Sequence, residues 1–348
     1  MSEFATRIIN WQKIHGRHSL PWQNTQNPYA IWVSEIMLQQ TQVAAVIGYY
    51  AKFMARFPSI AALADATQDE VLQHWSGLGY YSRARNLHNA AQIIVDEHAG
   101  QFPQDFDAII ALPGIGRSTA AAISSFAFNK AEPIMDGNVK RVFARHFLIE
   151  GWPSLPKVEK QLWLLADELM PQTGSIAYTQ GLMDLGATLC MRSKPKCMLC
   201  PLVESCGAYA NNRVKELPTS KPRKPIPEKQ INMLVLRRGN EVLLEKRPPS
   251  GIWGGLWSLP EAHDDDDFVQ LCQTRFGTEA AQLTALKPLN HAFTHFKLHI
   301  NPQPMQVLNT KHLANEANAT VWLDINEAIS AAIPTPIRKI LLSLKNSN

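Results

Sequence analysis

The chain has no run of about eighteen apolar residues, so no helix is expected to cross a membrane. Its first ten residues carry Glu3 and Arg7 and lack an apolar core segment, so no secretory signal is expected and a reducing cytoplasm is the expected setting. Neither sign of charge dominates: 34 Lys and Arg face 30 Asp and Glu, a net charge of +4. Such a balance suits a nucleic-acid partner but suits a small anionic substrate equally. No internal repeat is visible, which excludes a solenoid or propeller. Cysteine is scarce, five in 348 residues, and an odd count without a secretory signal argues against a disulfide framework.

Four of those five cysteines are crowded together, as Cys190-x6-Cys197-x2-Cys200-x5-Cys206. Soft thiolates at this spacing select zinc or an iron–sulfur cluster. Structural zinc usually shows two tight pairs, whereas here one tight pair is flanked by two longer arms, which favours a four-cysteine [4Fe–4S] cluster. Zinc stays open on spacing alone. The fifth, Cys272, is expected to be a buried single thiol.

The length suggests two domains. Residues 1 to about 210 read as helices. Asp69–Trp75, Ala84–His98 and Thr119–Phe128 place apolar residues three and four apart, and another helix begins after Pro28. Residues 211–230 hold Pro218, Pro222, Pro225 and Pro227 among Lys215, Lys221, Arg223, Lys224 and Lys229, and read as an extended basic linker. Residues 231–348 read as α+β. Ile231–Arg237 and Glu241–Leu244 flank the turn Arg238-Gly239-Asn240 as a hairpin, His299–Ile300 and Val321–Leu323 suggest strands, and Ile337–Leu344 suggests a closing helix. Asp264–Asp267 reads as a solvated acidic loop.

Within the helical half, residues 106–123 read as helix, tight turn, helix. Leu112 and Ile115 anchor the turn and Pro113 stops the first helix. Gly114 and Gly116 permit positive φ, so the amides of residues 114 to 118 would point outward at a helix start. That nest suits an anionic oxygen, and with no side chain in the contact it would read a backbone phosphate. Two carboxylates stand apart from their surroundings. Asp136 lies where a helix should start, as an N-cap. Glu35 sits among Trp32, Val33, Ile36, Met37 and Leu38, flanks that leave little room for a wet face.

Taken in order, the segments Val33-Ser-Glu35-Ile-Met-Leu-Gln-Gln40-Thr41, Gly77-Leu-Gly-Tyr80-Tyr81-Ser-Arg-Ala-Arg85-Asn86, Leu112-Pro-Gly114-Ile-Gly116, Asp136-Gly-Asn138-Val and Met183-Asp184-Leu-Gly-Ala187, with the cysteine spacing, resemble the helix–hairpin–helix DNA glycosylases of the endonuclease III superfamily. Within it the likeness is to the adenine DNA glycosylase (MutY) family and covers nearly the whole chain. The resemblance implies a mainly α catalytic half, a six-helix barrel plus a cluster-bearing part holding a [4Fe–4S] cluster on Cys190, Cys197, Cys200 and Cys206. It implies hydrolysis of the N-glycosidic bond of adenine mispaired with 8-oxoguanine or guanine, in double-stranded DNA, after base flipping. The protein is then expected as a bacterial-type, nucleoid-associated cytoplasmic monomer.

By the same resemblance Glu35 protonates adenine at N7, Asp136 stays ionised beside the sugar cation, and Asn138 belongs to the catalytic set. Glu35 should be raised in pKa by its apolar flanks, and Asp136 kept anionic by helix-start amides. Gln40 and Tyr80 wedge into the duplex, Gly114, Gly116 and Ser118 face its backbone, and Trp22 and Asp184 line the adenine pocket. Lyase members of the superfamily carry a lysine where this chain has Ser118, so a monofunctional enzyme that leaves an abasic site is expected. The alternative is an endonuclease III-like glycosylase/lyase on oxidised pyrimidines. Family members often carry arginine after Leu20-Pro21-Trp22, and here Gln23 stands there.

Residues 247–261 resemble the Nudix-like domain of the same family. The Glu-rich R-E-x-x-E-E helix that true Nudix hydrolases need for magnesium is missing after Pro260, so this domain should bind and not hydrolyse. His291-Ala-Phe293-Thr294-His295-Phe296 matches the family's Phe-Ser-His loop for 8-oxoguanine, with Thr294 keeping the hydroxyl of the usual serine.

Overall fold

The computed structural model describes residues 1–222, 225–310 and 319–345. The chain divides into two compact units, Met1–Asp65 with Asn86–Arg223, and Ala66–Arg85 with Lys224–Asn348. Among the described residues no helix is long and apolar enough to cross a membrane.

The first part of the chain is helical throughout: α1 (Glu3–His15), α2 (Pro28–Leu38), α3 (Val43–Arg56), α4 (Ile60–Ala64), α5 (Gln68–Trp75), α6 (Ser82–Glu97), α7 (Phe106–Ala111), α8 (Arg117–Phe128), α9 (Gly137–His146), α10 (Pro156–Leu169), α11 (Ser175–Thr188) and α12 (Gly207–Ala210). Local chemistry sets the boundaries that matter. Asn27 caps α2 by accepting from the amides of Tyr29 and Ala30, with Pro28 pre-set at the first helical position. Asp136 caps α9 through the Val139 amide. Helix α2 is apolar nearly all round and accordingly buried, with Trp32, Val33, Ile36 and Met37 in the core and Glu35 its one charged residue. Helix α11 approaches α1 and α9 closely because it offers glycine at both contacts. A Cβ on Gly181 would meet Ile8 Cγ2 at 2.6 Å, and one on Gly186 would meet Asn138 Cβ at 2.4 Å. Ile8, Val139, Phe143, Leu182 and Leu185 fill the core between these helices.

The second unit is built on an eight-stranded mixed sheet of β1 (Glu228–Arg238), β2 (Glu241–Lys246), β3 (Trp257–Ser258), β4 (Glu261–Ala262), β5 (Thr278–Gln282), β6 (Leu289–Ala292), β7 (Lys297–Thr310) and β8 (Thr320–Asp324). The order β3-β2-β1-β7-β5 forms its spine, with β1 and β7 parallel and the other pairs antiparallel. Helices α13 (Phe268–Phe276), α14 (Ile325–Ser330) and α15 (Thr335–Lys345) complete it. The expected hairpin closes with Arg238 opposite Glu241. Cys272 is fully buried against Leu234, Leu236 and Met305, as a small apolar residue would be. Helix α5 folds with this unit: Ser76 Oγ donates to Ile333 O at 2.7 Å and Gln73 Nε2 to Ser330 O at 2.8 Å.

Two expectations need correction. Residues 211–230 are not a free tether. Leu217 is 2% exposed, its carbonyl accepts from Arg145 Nε at 2.8 Å, and Thr219 Oγ1 accepts from the Gly151 amide. An apolar side chain amid the basic residues finds a buried seat, and β1 already begins at Glu228; Arg223 and Lys224 lie outside the described residues. The hairpin between α7 and α8 uses only one left-handed glycine. Gly114 has φ +81°, whereas Gly116, the N-cap of α8, has φ −93°. Of the amides expected to point outward, that of Ile115 is taken by Leu112 O.

The strain at Gly114 is testable. A methyl there would be 2.8 Å from Asn86 Cβ on top of the left-handed backbone. Gly114→Ala should therefore destabilise by about 1–3 kcal/mol in urea unfolding. Gly116→Ala, with nothing within 4 Å of the new methyl, should cost clearly less.

Candidate active site

A cavity of about 950 Å³ opens in the first unit, and Glu35 and Asp136 both line it. They arrive by different routes. Glu35 projects from the buried helix α2, and Asp136 sits at the cap of α9. Trp22, Ser118, Asn138, Gln180, Arg17 and Gln23 share the wall. Trp22 is held from behind by an edge contact with Tyr50, ring centroids 5.4 Å apart.

The two carboxylates differ in what supports them. Asp136 Oδ1 accepts from the Val139 amide at 2.8 Å and Oδ2 from Asn138 Nδ2 at 2.9 Å. No hydrogen bond from a protein group reaches Glu35 among the described residues. Burial raises Glu35 to a pKa of about 7, and the neighbouring negative charge of Asp136 adds to the rise. Burial also pushes Asp136 above the ordinary carboxylate range, against the pull of the Val139 amide, the Asn138 amide group and Arg141. The helix-start amides expected to keep Asp136 anionic are present, but desolvation outweighs their pull on its pKa. The donors still decide the order within the pair. The first negative charge settles on Asp136, where it is solvated by the protein, and Glu35 keeps its proton to near neutrality.

Asn138 is itself held. Arg141 Nη2 donates to Asn138 Oδ1 at 2.8 Å and to Gly186 O at 2.7 Å, while Arg141 Nε donates to Cys190 O at 2.7 Å. One turn further along α9, Arg145 donates Nη1 to Met191 O at 2.8 Å and lies 3.3 Å from Cys190 Sγ. Ser118 turns its hydroxyl toward the same segment and accepts from the Met135 amide at 3.0 Å. It therefore steadies the chain next to Asp136 in addition to facing the cavity.

Asp184 does not reach the cavity. Its carboxylate is 0% exposed, taken by Arg17 Nε at 2.6 Å, the Arg17 amide at 2.8 Å and Gln180 Nε2 at 2.8 Å. The groups it orients, Arg17 and Gln180, line the wall instead. Gln180 was findable, as a polar residue one turn before Asp184 in an apolar helix; Arg17 follows the end of α1 with no such signal. Gln23 also lines the wall, tied to the Arg17 carbonyl by Nε2 at 2.9 Å. Beside the cavity, Gln39 Nε2 reaches Gly114 O and Thr119 Oγ1, both at 3.3 Å, and so joins the end of α2 to the glycine hairpin. Gln40, next in the chain, is exposed with φ +56°.

Cys190, Cys197, Cys200 and Cys206 surround a second, small cavity of about 30 Å³. No three His, Cys, Asp or Glu side chains among the described residues close in tightly enough to chelate a single ion. The four cysteines line this one small cavity together, a donor set of four thiols that fits a four-cysteine iron–sulfur cluster. The charge balance agrees. Arg145 is 3% exposed, contacts Cys190 Sγ, and has no carboxylate partner among the described residues, so thiolates there would neutralise a buried cation.

In the second unit, Tyr80 and Thr294 meet, their hydroxyl oxygens 3.1 Å apart. Tyr80 is 45% exposed and has φ +49°. Phe293 stacks on Phe296 at 4.5 Å and leans on Trp253 and His291, while His295 is exposed.

Comparison with known proteins agrees with this geometry. Residues 33–168 match the HhH-GPD superfamily of base excision DNA repair proteins, and residues 232–343 match the NUDIX domain. A thermostable thymine-DNA glycosylase of known structure is 31% identical and superposes with a TM-score of 0.55 over 60% of this chain and 95% of its own. The class is that of the helix–hairpin–helix glycosylases carrying a C-terminal Nudix-like domain. An adenine DNA glycosylase of Buchnera aphidicola subsp. Baizongia pistaciae is 40% identical over 346 residues, spanning 99% of this chain and 97% of the relative. That of Mus musculus is 33% identical over 98% of this chain and 77% of its own length. The chain belongs to the adenine DNA glycosylase family, and it is a base excision repair glycosylase.

The raised Glu35 has a consequence for stability. Its folded pKa of about 7 exceeds the model-peptide value of 4.5, so the native state holds a proton that the unfolded chain releases. That contribution is fully present below about pH 4.5 and is lost as pH rises through about 7. Glu35→Gln should accordingly be more stable than the parent at pH 8 in urea unfolding, with the advantage gone at pH 4.

Proposed function

We propose that the enzyme hydrolyses the N-glycosidic bond of adenine mispaired with 8-oxoguanine, and of adenine opposite guanine, in double-stranded DNA. The observation that carries this reading is one cavity lined by a carboxylic acid poised near pH 7 and a carboxylate held by Val139 and Asn138. An adenine flipped into it needs two things. Its ring must be protonated so that it leaves as a neutral base, and the sugar cation must be offset. Glu35 supplies the proton, at N7. As the glycosidic electrons move to the base, Asp136 faces the developing positive charge on the sugar. Asn138, oriented by Arg141, fixes the carboxylate that does this. A water then adds to the sugar carbon and gives its proton to the Glu35 carboxylate that the first step left, so that the acid is restored and an abasic site remains. The division of labour is that of two carboxylates kept apart in pKa by their surroundings.

Ser118 has no amine and its hydroxyl oxygen accepts from the Met135 amide, while Lys13, a lysine that does line the cavity, is exposed in the last turn of α1. The enzyme is therefore monofunctional, without efficient lyase activity. Gly114, Gly116 and Ser118 at the start of α8 contact the phosphate backbone, Trp22 lies against the flipped adenine, and Gln40 and Tyr80 wedge into the duplex. Recognition of 8-oxoguanine belongs to the loop Phe293, Thr294 and His295, where the Thr294 hydroxyl bonds the lesion's altered edge.

Cys190, Cys197, Cys200 and Cys206 would hold a [4Fe–4S] cluster, which when bound would cross-link the loop between α11 and α12 and place negative charge beside Arg145.

Single-turnover excision on a labelled duplex tests the catalytic assignment. Asp136→Asn should bind the mispair yet lose at least about a hundredfold in rate, and Glu35→Gln should be similarly slow at pH 7. Near-parental rates in either would remove that residue from its role. The parent should cut the strand only after alkali, and an efficient borohydride-trapped intermediate would point to the lyase alternative. Cys200→Ser should lower iron and acid-labile sulfide per chain and bleach the visible absorbance, whereas a colourless parent containing zinc would replace the cluster assignment.

A further inference from the structure

The stretch carrying Tyr80, Ala66–Arg85, folds with the Nudix-like unit, and its grip on that unit has a defined chemistry. In the first turn of α5 the Asp69 carboxylate takes two partners. Oδ1 pairs with Lys246 Nζ at the end of β2, and Oδ2 accepts from Trp257 Nε1 in β3 at 3.1 Å. The Lys246 ammonium also lies over the Trp257 ring, 4.7 Å from its centroid. At the far end of the stretch, Arg85 Nη1 donates to Gly254 O at 2.5 Å. Gln68, Leu72 and Arg85 lie over the neighbouring Gly255, whose φ of +78° favours glycine.

Between these two attachments the backbone runs through Gly77, Gly79 and Tyr80 at φ of +102°, +78° and +49°. Tyrosine seldom adopts such a φ, and the conformation persists only where the surroundings over-determine it. Its outcome is the 3.1 Å meeting of the Tyr80 hydroxyl with Thr294 Oγ1. That contact fixes both oxygens in place, and Arg83 packs across the Tyr80 ring at 5.5 Å.

We propose that Asp69 is a positioning residue for discrimination of the base opposite adenine. By tying α5 to Lys246 and Trp257, it sets where Tyr80 stands against Thr294, and so how well their hydroxyls present to 8-oxoguanine as against guanine. The inference rests on the reading of Tyr80 and Thr294 as lesion-contacting residues. Asp69 does not line the Glu35–Asp136 cavity, so its removal lowers selectivity and leaves the chemistry alone.

The test uses the full chain and compares single-turnover rates for adenine opposite 8-oxoguanine and opposite guanine. Asp69→Ala should lower that ratio about fivefold, the scale of one partly exposed ion pair, while the rate opposite guanine and the thermal midpoint stay close to the parent's. Asp69→Asn, which keeps an acceptor for the Trp257 indole, should recover part of the ratio. Tyr80→Phe and Thr294→Ala are run alongside and should lower the ratio on their own. If these two lower it and both Asp69 variants keep it, the positioning role is overturned. Equal slowing of both substrates by Asp69→Ala overturns it as well, since that is what loss of fold alone would do. If neither Tyr80→Phe nor Thr294→Ala moves the ratio, the underlying lesion-reading assignment fails and takes the inference with it. Should Asp69→Ala not fold, Lys246→Met carries the same expectation, and an unchanged ratio in it overturns the proposal.

Discussion

Two carboxylates cannot both ionise cheaply in one desolvated cavity, and the rest of the catalytic unit is arranged around that constraint. The asymmetry comes from hydrogen bonding. Asp136 is met by the Val139 amide and the Asn138 side chain, and Glu35 by apolar neighbours on a buried helix. A charge on Asp136 then makes a second charge on Glu35 costlier still. One site keeps a proton available near neutral pH and the other keeps a negative charge, which is the pairing that breaking a glycosidic bond to a purine demands.

The supports run outward from that pair. Gly186 is glycine because α11 passes against Asn138 with no room for a methyl. Arg141 links the Asn138 side chain to the carbonyls of Gly186 and Cys190, and Arg145 continues along α9 to Met191 and the Cys190 thiol. The cysteine loop thereby buttresses the helix whose cap is Asp136. In the unit built on the mixed sheet, Tyr80 and Thr294 share a hydrogen bond.

Much of this was legible in the sequence because its signals are local. An N-cap Asp, a Pro-Gly turn, a proline at a helix start and a tight cysteine spacing each act within a few residues. The apolar flanks of Glu35 announced its desolvation. What was not legible depends on distant partners. Asp184 looked like a pocket residue, but Arg17, far away in the chain, claims its carboxylate and takes its place on the wall. The basic run after Asn211 read as an extended linker, yet Leu217 anchors it through the Arg145 guanidinium. Gly116 looked like a second left-handed glycine and instead caps α8 in extended conformation. Nothing local in residues 66–85 showed that they would fold with strands more than a hundred residues later.

Glu35 is kept protonated by burial and by the charge on Asp136. The most direct measurement is an NMR titration of the Glu35 side-chain carboxyl in the DNA-free protein, in the parent and in Asp136→Asn. The Glu35 carboxyl should titrate with an apparent pKa of about 7 in the parent and lower in the variant, because the repelling charge is gone while the burial remains. A Glu35 that titrates near the ordinary glutamate value, or one whose titration ignores the Asp136→Asn change, would contradict it.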